Sequence, residues 1–348
     1  MISVILAGGR GLRLWPESRR ARPKQLCKFV NNKSMLDHTI DRSIQVGAKK
    51  IIIITGEDLA QDIYELIKLR PDAEMIEVLT EPEGKNTAPA VGLALAKYHG
   101  DWGDEVFAVF PADHHIADTE SFNSVISKAR AAACHNHIAT IGVLPGRAET
   151  GYGYIQKAKW EVGELPGVFP VTSFCEKPDL QTAQKYLSDG NYMWNSGIYI
   201  AKGNVFMEEF AQHLPEIYTL LLSGYDNYYN SYSLLPNISL DYGIAEKCGR
   251  MAVVMGDFGW CDLGSWNALS DLHHYDEMKN TCSGDDIIAL ESSNCLVKQS
   301  DKTVVLFGVD NLLVVETDEI ILVSQRQKAQ DIRRIIDALG QLERHDLL

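Results

Sequence analysis

Long apolar runs are missing from this chain: nothing in it approaches the ~20 residues a bilayer-spanning helix requires. Cysteine pairs in metal or redox spacing are missing too. The 7 cysteines are odd in number and form no Cys-x-x-Cys, which argues against a disulfide framework or a structural zinc site and favours buried reduced thiols. Positive charge is in deficit. With 33 basic against 47 acidic residues the net charge is −14, the wrong sign for a general nucleic-acid binder. An anionic substrate would have to be held by local cations against the global field, and the acidic excess suits a divalent metal. No charged leader or small-residue cleavage site precedes the first strand, which predicts a soluble cytoplasmic protein with no membrane partner. Strict repeats and low-complexity segments are also absent. What remains is ordinary globular composition, 45% hydrophobic and 23% charged over 348 residues, enough for one large domain and a smaller one.

The most informative stretch is the first strand and its exit. Val4-Ile5-Leu6-Ala7 runs into Gly8-Gly9-Arg10-Gly11-Leu12-Arg13-Leu14, with Pro23-Lys24-Gln25 shortly after. Gly8, Gly9 and Gly11 let a ligand approach the main chain, and exposed N–H groups in such a loop can cradle an anion. Arg13 and Lys24 add a planar fork and a point charge, the two cations used on phosphates. Two common phosphate loops are excluded. No Gly-Lys-Ser/Thr closes a Walker loop, and Leu14 stands where a dinucleotide fingerprint needs its third glycine. A plain strand-to-loop turn with solvated basic residues is the competing explanation.

Along the first ~150 residues, short β-branched or apolar segments at 2–6, 50–54, 75–79, 105–110 and 137–143 alternate with amphipathic stretches at 34–46, 59–69, 87–98 and 121–133. That alternation predicts a parallel sheet covered by helices, with ligands outside the carboxyl ends of the strands. Residues 151–260 read as the second half of the same domain, with strands at 153–157, 168–175 and 193–200 and helices near 180–187, 205–213 and 242–248. After about residue 275 small apolar runs separated by Asn, Ser, Asp and Gly predict a stack of β-coils or a small sandwich. Residues 325–342 predict a closing amphipathic helix. The predicted domains are 1–272 and 273–348.

Six further segments carry candidate chemistry. Asp113 follows an apolar strand and is placed as a Mg²⁺ ligand, or as a helix cap. Glu81, Asn86, Thr87 and Ala88 belong to a loop that opens a helix; capping explains part of it, and its acceptors and N–H donors also suit the edge of a guanine. Glu176 and Lys177 end a strand, with a surface ion pair as the plain alternative. Asn195 sits between Trp194 and the Ser196-Gly197 pair within a strand, where glycine marks close approach. Asp262 lies between Trp260 and Trp266, where helix capping is again the alternative. Gly153, in Thr150-Gly151-Tyr152-Gly153-Tyr154, fits a tight hairpin.

Taken in order, these motifs resemble the sugar-1-phosphate nucleotidylyltransferases, and more narrowly the mannose-1-phosphate guanylyltransferases (GDP-mannose pyrophosphorylases). The resemblance runs from the first strand through Asp262-Leu263-Gly264-Ser265-Trp266 and weakly into the tail, with no appended isomerase domain. It implies an α/β fold: a Rossmann-like nucleotidyltransferase domain with a mostly parallel sheet, plus a small β-rich domain, a short left-handed β-helix, with a terminal helix. It implies transfer of GMP from GTP to mannose 1-phosphate for GDP-mannose biosynthesis. Leu6, Ala7, Gly8, Gly9 and Gly11 would form the signature nucleotide loop, with Arg13 and Lys24 on the GTP phosphates. Asp113 and Asp262 would bind the cofactor Mg²⁺. Glu81, Asn86, Thr87 and Ala88 would read the base, Gly153, Glu176 and Asn195 the sugar, and Lys177 the sugar phosphate.

The chain departs from the pattern in two places. Arg10 and Leu12 stand where the family carries hydroxyl residues, and Lys85 replaces an arginine of the base loop, keeping charge but losing the fork. Alternatives that stay open are another nucleotide or sugar 1-phosphate, and a non-catalytic sugar-nucleotide-binding regulatory homologue. A homodimer through the β-rich tail is one arrangement, with the oligomeric state left open.

Overall fold

In the computed structural model, which describes residues 1–98, 103–270, 272 and 274–348, the strand and helix signals are laid down largely where their chemistry dictates. β1 (Ile2–Leu6), β2 (Lys50–Gly56), β3 (Ile76–Glu81) and β4 (Val106–Pro111) pair in parallel in the order β3-β2-β1-β4. β1, β2 and β4 are buried along most of their length, as strands covered on both faces must be. Alternate residues go to opposite cores. Phe107 and Val109 of β4 join the cluster that holds the helix Thr87–Tyr98, while Ala108 and Phe110 join the cluster around Phe122 and Ile126 of the helix Thr119–Cys134.

The second half of the sheet departs from the parallel expectation. β5 (Ile138–Val143), β6 (Tyr154–Lys157), β7 (Val168–Cys175), β8 (Tyr192–Lys202) and β9 (Met251–Gly256) complete a nine-stranded sheet in the order β3-β2-β1-β4-β8-β5-β9-β7-β6. β8 inserts between β4 and β5, antiparallel to both, so those two never pair directly. β5 and β9 are parallel, whereas β7 pairs antiparallel with β9 and with β6. The sheet is therefore mixed, with a parallel block of β3, β2, β1 and β4.

By packing, the described residues form two compact units, and neither is one continuous segment. The first is Met1–Gly8, Asp37–Ala112 and Ile116–Trp260, which holds the large sheet; the second is Gly9–Leu36, Asp113–His115 and Cys261–Leu348. The predicted boundary after residue 272 adjoins residue 273, which lies outside the described residues.

The second unit has two cores. One joins Leu14, Trp15, Cys27, Phe29 and Met35 to Leu263, Trp266, Leu296, Leu313 and Ile332. The other fills the β-coils. β10 (Thr281–Ser283), β12 (Leu296–Lys298) and β14 (Leu312–Glu316) stack in parallel, and so do β11 (Ile287–Leu290) and β13 (Val304–Phe307); β15 (Ile321–Gln325) closes antiparallel on β14. Side chains of β11 and β13 alternate inward and outward, Ile287, Ala289, Val304 and Leu306 facing Cys295, Val297 and Val314 inside. Turn residues stack 17 positions apart, Ser293 on Asp310 and Asn294 on Asn311. This is a β-helix.

The closing segment is not one helix. A 3-10 turn over Arg326–Asp331 gives way at Ile332 to the α-helix Arg333–Gln341, because Ala329 and Ile332 are both pulled into the core. The predicted helix at 242–248 is a single π turn, Asp241–Ala245. Among the described residues no helix is long and apolar enough to cross a membrane.

Candidate active site

In the second unit the glycine loop is built around Gly11. Its φ of 60° is left-handed, and a Cβ there would stand 2.3 Å from the Cβ of Lys24, so only glycine lets the loop lie on the lysine stem. Leu14, fully buried with Trp15 and Trp266, anchors the loop through a 3-10 turn, Leu12–Leu14, which is why no third glycine opening an α-helix is present. Ser18 Oγ donates to the Gly11 carbonyl at 2.7 Å, and the Lys24 amide donates to the Arg10 carbonyl at 3.3 Å.

Lys24 is the hub. Its stem is buried, and its ammonium donates to Asp113 Oδ2 at 2.7 Å and to the main-chain carbonyl of Asp262. Asp262 in turn accepts from the Gly264 amide at 2.9 Å, which shapes the turn after it. Arg10, Gly11, Arg13, Lys24, Asp113 and Asp262 line one cleft of about 640 Å³, with Arg20, His114, Arg333 and Asp337 at its wall. Burial alone would push the Asp113 carboxyl up; the Lys24 ammonium, with His114 beside it, outweighs that and holds it below the usual carboxylate range.

Two clusters lie in the first unit. Glu81 ends β3, and its carboxylate approaches the backbone of Gly8 so closely that a Cβ there would meet Oε2 at 2.9 Å. Its other oxygen accepts from the buried Tyr232 hydroxyl at 2.5 Å. Asn86, with φ of 69°, turns the chain into the helix Thr87–Tyr98. The Thr87 hydroxyl accepts from the Leu240 amide at 2.8 Å, and the Ala88 amide donates to the Ile238 carbonyl at 3.1 Å. Lys85 donates to the Ser233 carbonyl at 2.9 Å, so the residue that replaces arginine is tied to backbone.

The second cluster joins Gly153, Glu176, Lys177 and Asn195. A Cβ on Gly153 would stand 2.6 Å from Glu176 Oε2 and 3.3 Å from Asn195 Cβ. The Lys177 ammonium lies 2.5 Å from Glu176 Oε1. Asn195 is held on both ends: Oδ1 accepts from Thr140 Oγ1 at 2.9 Å, and Nδ2 donates to Asp241 Oδ1 at 3.0 Å and to the Tyr199 hydroxyl at 2.9 Å. Burial, and then the charges of Asp241 and Glu246, push the Glu176 carboxyl up against the pull of Lys177.

Tyr232, Asp241 and Arg333 were not among the sequence candidates. Asp241 opens a segment predicted as helix, so it passes for a cap. Tyr232 meets Glu81 from 151 positions away, and no local pattern announces that.

Burial pushes the Glu81 carboxyl up, with the Tyr232 hydrogen bond opposing. Relative to the unfolded chain, the native state therefore holds the Glu81 proton more tightly. The stability linked to Glu81 is full below the ordinary glutamate value and is lost as pH rises through the raised one. Glu81→Gln is expected to flatten that part of a plot of thermal midpoint against pH. Tyr232→Phe removes a donor from a buried carboxylate and is expected to cost about 1.5–3 kcal/mol in urea unfolding at neutral pH. An unchanged midpoint for Tyr232→Phe would show that the hydroxyl carries nothing.

Over residues 2–279 the chain matches the Nucleotidyl transferase family, and over 285–339 the MannoseP isomerase/GMP-like beta-helix domain. The mannose-1-phosphate guanylyltransferase of Klebsiella pneumoniae is 35% identical over 362 residues, covering 99% of this chain and 75% of that protein. The alginate biosynthesis protein AlgA of Pseudomonas aeruginosa is 34% identical over 357 residues, covering 99% and 73%. A solved structure, that of mannose-1-phosphate geranyltransferase from Thermus thermophilus, shares 31% identity at a TM-score of 0.89 and covers 97% of this chain and 99% of that one. With these matches running through both the sheet and the β-helix, the chain belongs to the nucleotidyl transferase family of enzymes.

Proposed function

We propose that this enzyme transfers GMP from GTP to mannose 1-phosphate, giving GDP-mannose and pyrophosphate. The observation that carries the reading is Lys24, whose ammonium ties Asp113 to the Asp262 backbone beside the glycine loop in one cationic cleft. The names of the relatives supply the substrates.

In the reaction a phosphate oxygen of the sugar phosphate attacks the α-phosphorus of GTP. A new P–O bond forms there, the bond to the β-phosphate oxygen breaks, and pyrophosphate leaves with the electron pair. The attacking oxygen is already ionised near neutral pH, so no general base is required, and catalysis comes from positioning and charge neutralisation. Arg13 and Lys24 hold phosphate oxygens. Glu81 and the Asn86–Ala88 loop read the guanine edge. Gly153, Glu176 and Asn195 seat the sugar, Asn195 pre-set by Thr140 and Asp241, and Lys177 meets the sugar phosphate.

The donor set fits Mg²⁺. The carboxylates of Asp113, Asp262 and Asp337 line the cleft, and among the described residues no group of three or more His, Cys, Asp and Glu side chains gathers as a full protein cage. That suits an ion that takes one or two carboxylates and completes its shell with phosphates and water. Asp113 and Asp262 would hold it, and it would supply positive charge to the phosphate oxygens.

Pyrophosphate release measured with four nucleoside triphosphates against a set of sugar 1-phosphates tests the proposal. GTP with mannose 1-phosphate is expected to lead the other pairs by about 10²-fold in kcat/KM. A different leading pair would overturn the substrate assignment. Gly153→Ala, which drives a methyl into Glu176 and Asn195, is expected to raise KM for the sugar phosphate about tenfold with KM for GTP unchanged.

A further inference from the structure

Arg333 is the first residue of the closing helix, and it lines the same cleft as the glycine loop. The helix is seated on the core of the second unit. Ile332 is buried, and Ile335, Ile336 and Leu339 pack on the core that anchors Leu14 and Trp15. The backbone of Arg333 is thus fixed while its guanidinium stays exposed. Among the described residues Arg333 makes no hydrogen bond or ion pair, not even with Asp337 one turn on, which lines the cleft as well.

A solvated surface arginine is the plain explanation, and the charge balance of the cleft argues against it. A bound triphosphate brings several negative charges. The ammonium of Lys24 is already engaged by Asp113 and the Asp262 carbonyl, so only part of its charge faces a ligand. Leu12 offers no hydroxyl. Arg13, Arg20 and Arg333 are therefore cations of this wall whose forks have no protein partner among the described residues. An unpartnered guanidinium is suited to bidentate capture of phosphate oxygens.

We propose that Arg333 is a further phosphate-binding residue of the nucleotide site, gripping the triphosphate of the incoming nucleotide and the pyrophosphate that departs. This rests on the nucleotidyl-transfer reading above, and it gives the tail a direct part in substrate binding. The grip is a contact of ground state and product, so its loss weakens binding more than it slows the chemical step.

The test uses the full chain with Mg²⁺ and compares Arg333→Ala and Arg333→Lys with Arg334→Ala, an exposed neighbour that is not part of the cleft wall. Calorimetric titration with inorganic pyrophosphate is expected to show about tenfold or greater weakening for Arg333→Ala. Partial recovery is expected for Arg333→Lys and no change for Arg334→Ala. In turnover, KM for GTP and for pyrophosphate in the reverse direction should rise, with KM for the sugar phosphate unmoved and the thermal midpoint kept. Wild-type affinity in Arg333→Ala, or equal losses in Arg333→Ala and Arg334→Ala, would overturn the proposal. If the wild-type chain turns over no substrate pair while Arg333→Ala still weakens pyrophosphate, the transfer reading falls and the anion site stands.

Discussion

Asp262→Asn is expected to lower kcat for pyrophosphate release by about 10²–10³-fold, the scale seen when one charge-stabilising group is removed from an active site. The asparagine keeps the Oδ1 acceptor for the Gly264 amide, so the turn behind it survives and the loss reports charge. Asp262→Ala should match it in kcat while also giving up the turn bond, at about 1 kcal/mol of stability. Steady-state rates and a thermal melt on both variants separate the two effects. Near-normal turnover in Asp262→Asn would sink the assignment of this carboxylate to the metal.

Lys24→Met carries the second large effect. The methionine fills the same buried channel under Gly11, but nothing then links Asp113 to the Asp262 carbonyl and a phosphate-facing charge is gone. A fall of about 10²-fold or more in kcat/KM is expected. Lys24→Arg is expected to recover little, because the stem runs beneath a residue with no room even for a methyl and a planar guanidinium cannot sit where a compact ammonium does. Activity of Lys24→Met within threefold of wild type would remove Lys24 from the catalytic machinery.

Local chemistry made part of this molecule readable before its coordinates. β1, β7 and the helix Thr87–Tyr98 fall on the predicted residues, because each is an apolar run bounded by turn formers. The insertion of β8 between β4 and β5 was not readable. Pairing partners are chosen across the whole sheet, and a strand buried on both faces carries no mark of its neighbours or direction. The coils of the β-helix concealed their repeat for a related reason. Only a few inward side chains and the stacked turn residues at 293–294 and 310–311 recur, too few to register as a sequence repeat.

The candidate site divides in the same way. Gly11, Lys24, Asp113 and Asp262 could be named because strand ends and glycine turns are local signals, and the structure places all four in one cleft. So do Gly153, Glu176 and Asn195 meet within the first unit. The residues that hold these in place escaped. Tyr232 reaches Glu81 over 151 positions, and Asp241 reaches Asn195 over 46, distances at which sequence pattern carries no information.

The anchoring of the loop bears on how the protein is made. Leu14 and Trp15 leave the ribosome well before their partners, because the indole of Trp266 binds the Trp15 carbonyl from 251 positions away, and the Trp15 indole binds the Leu347 carbonyl from 332 away. A nascent chain must therefore carry its nucleotide loop unsupported, with two large apolar side chains uncovered, until nearly all of the β-helix has been translated. Until then that stretch is open to chaperones. The nucleotide loop is synthesised long before the residues that give it its working shape.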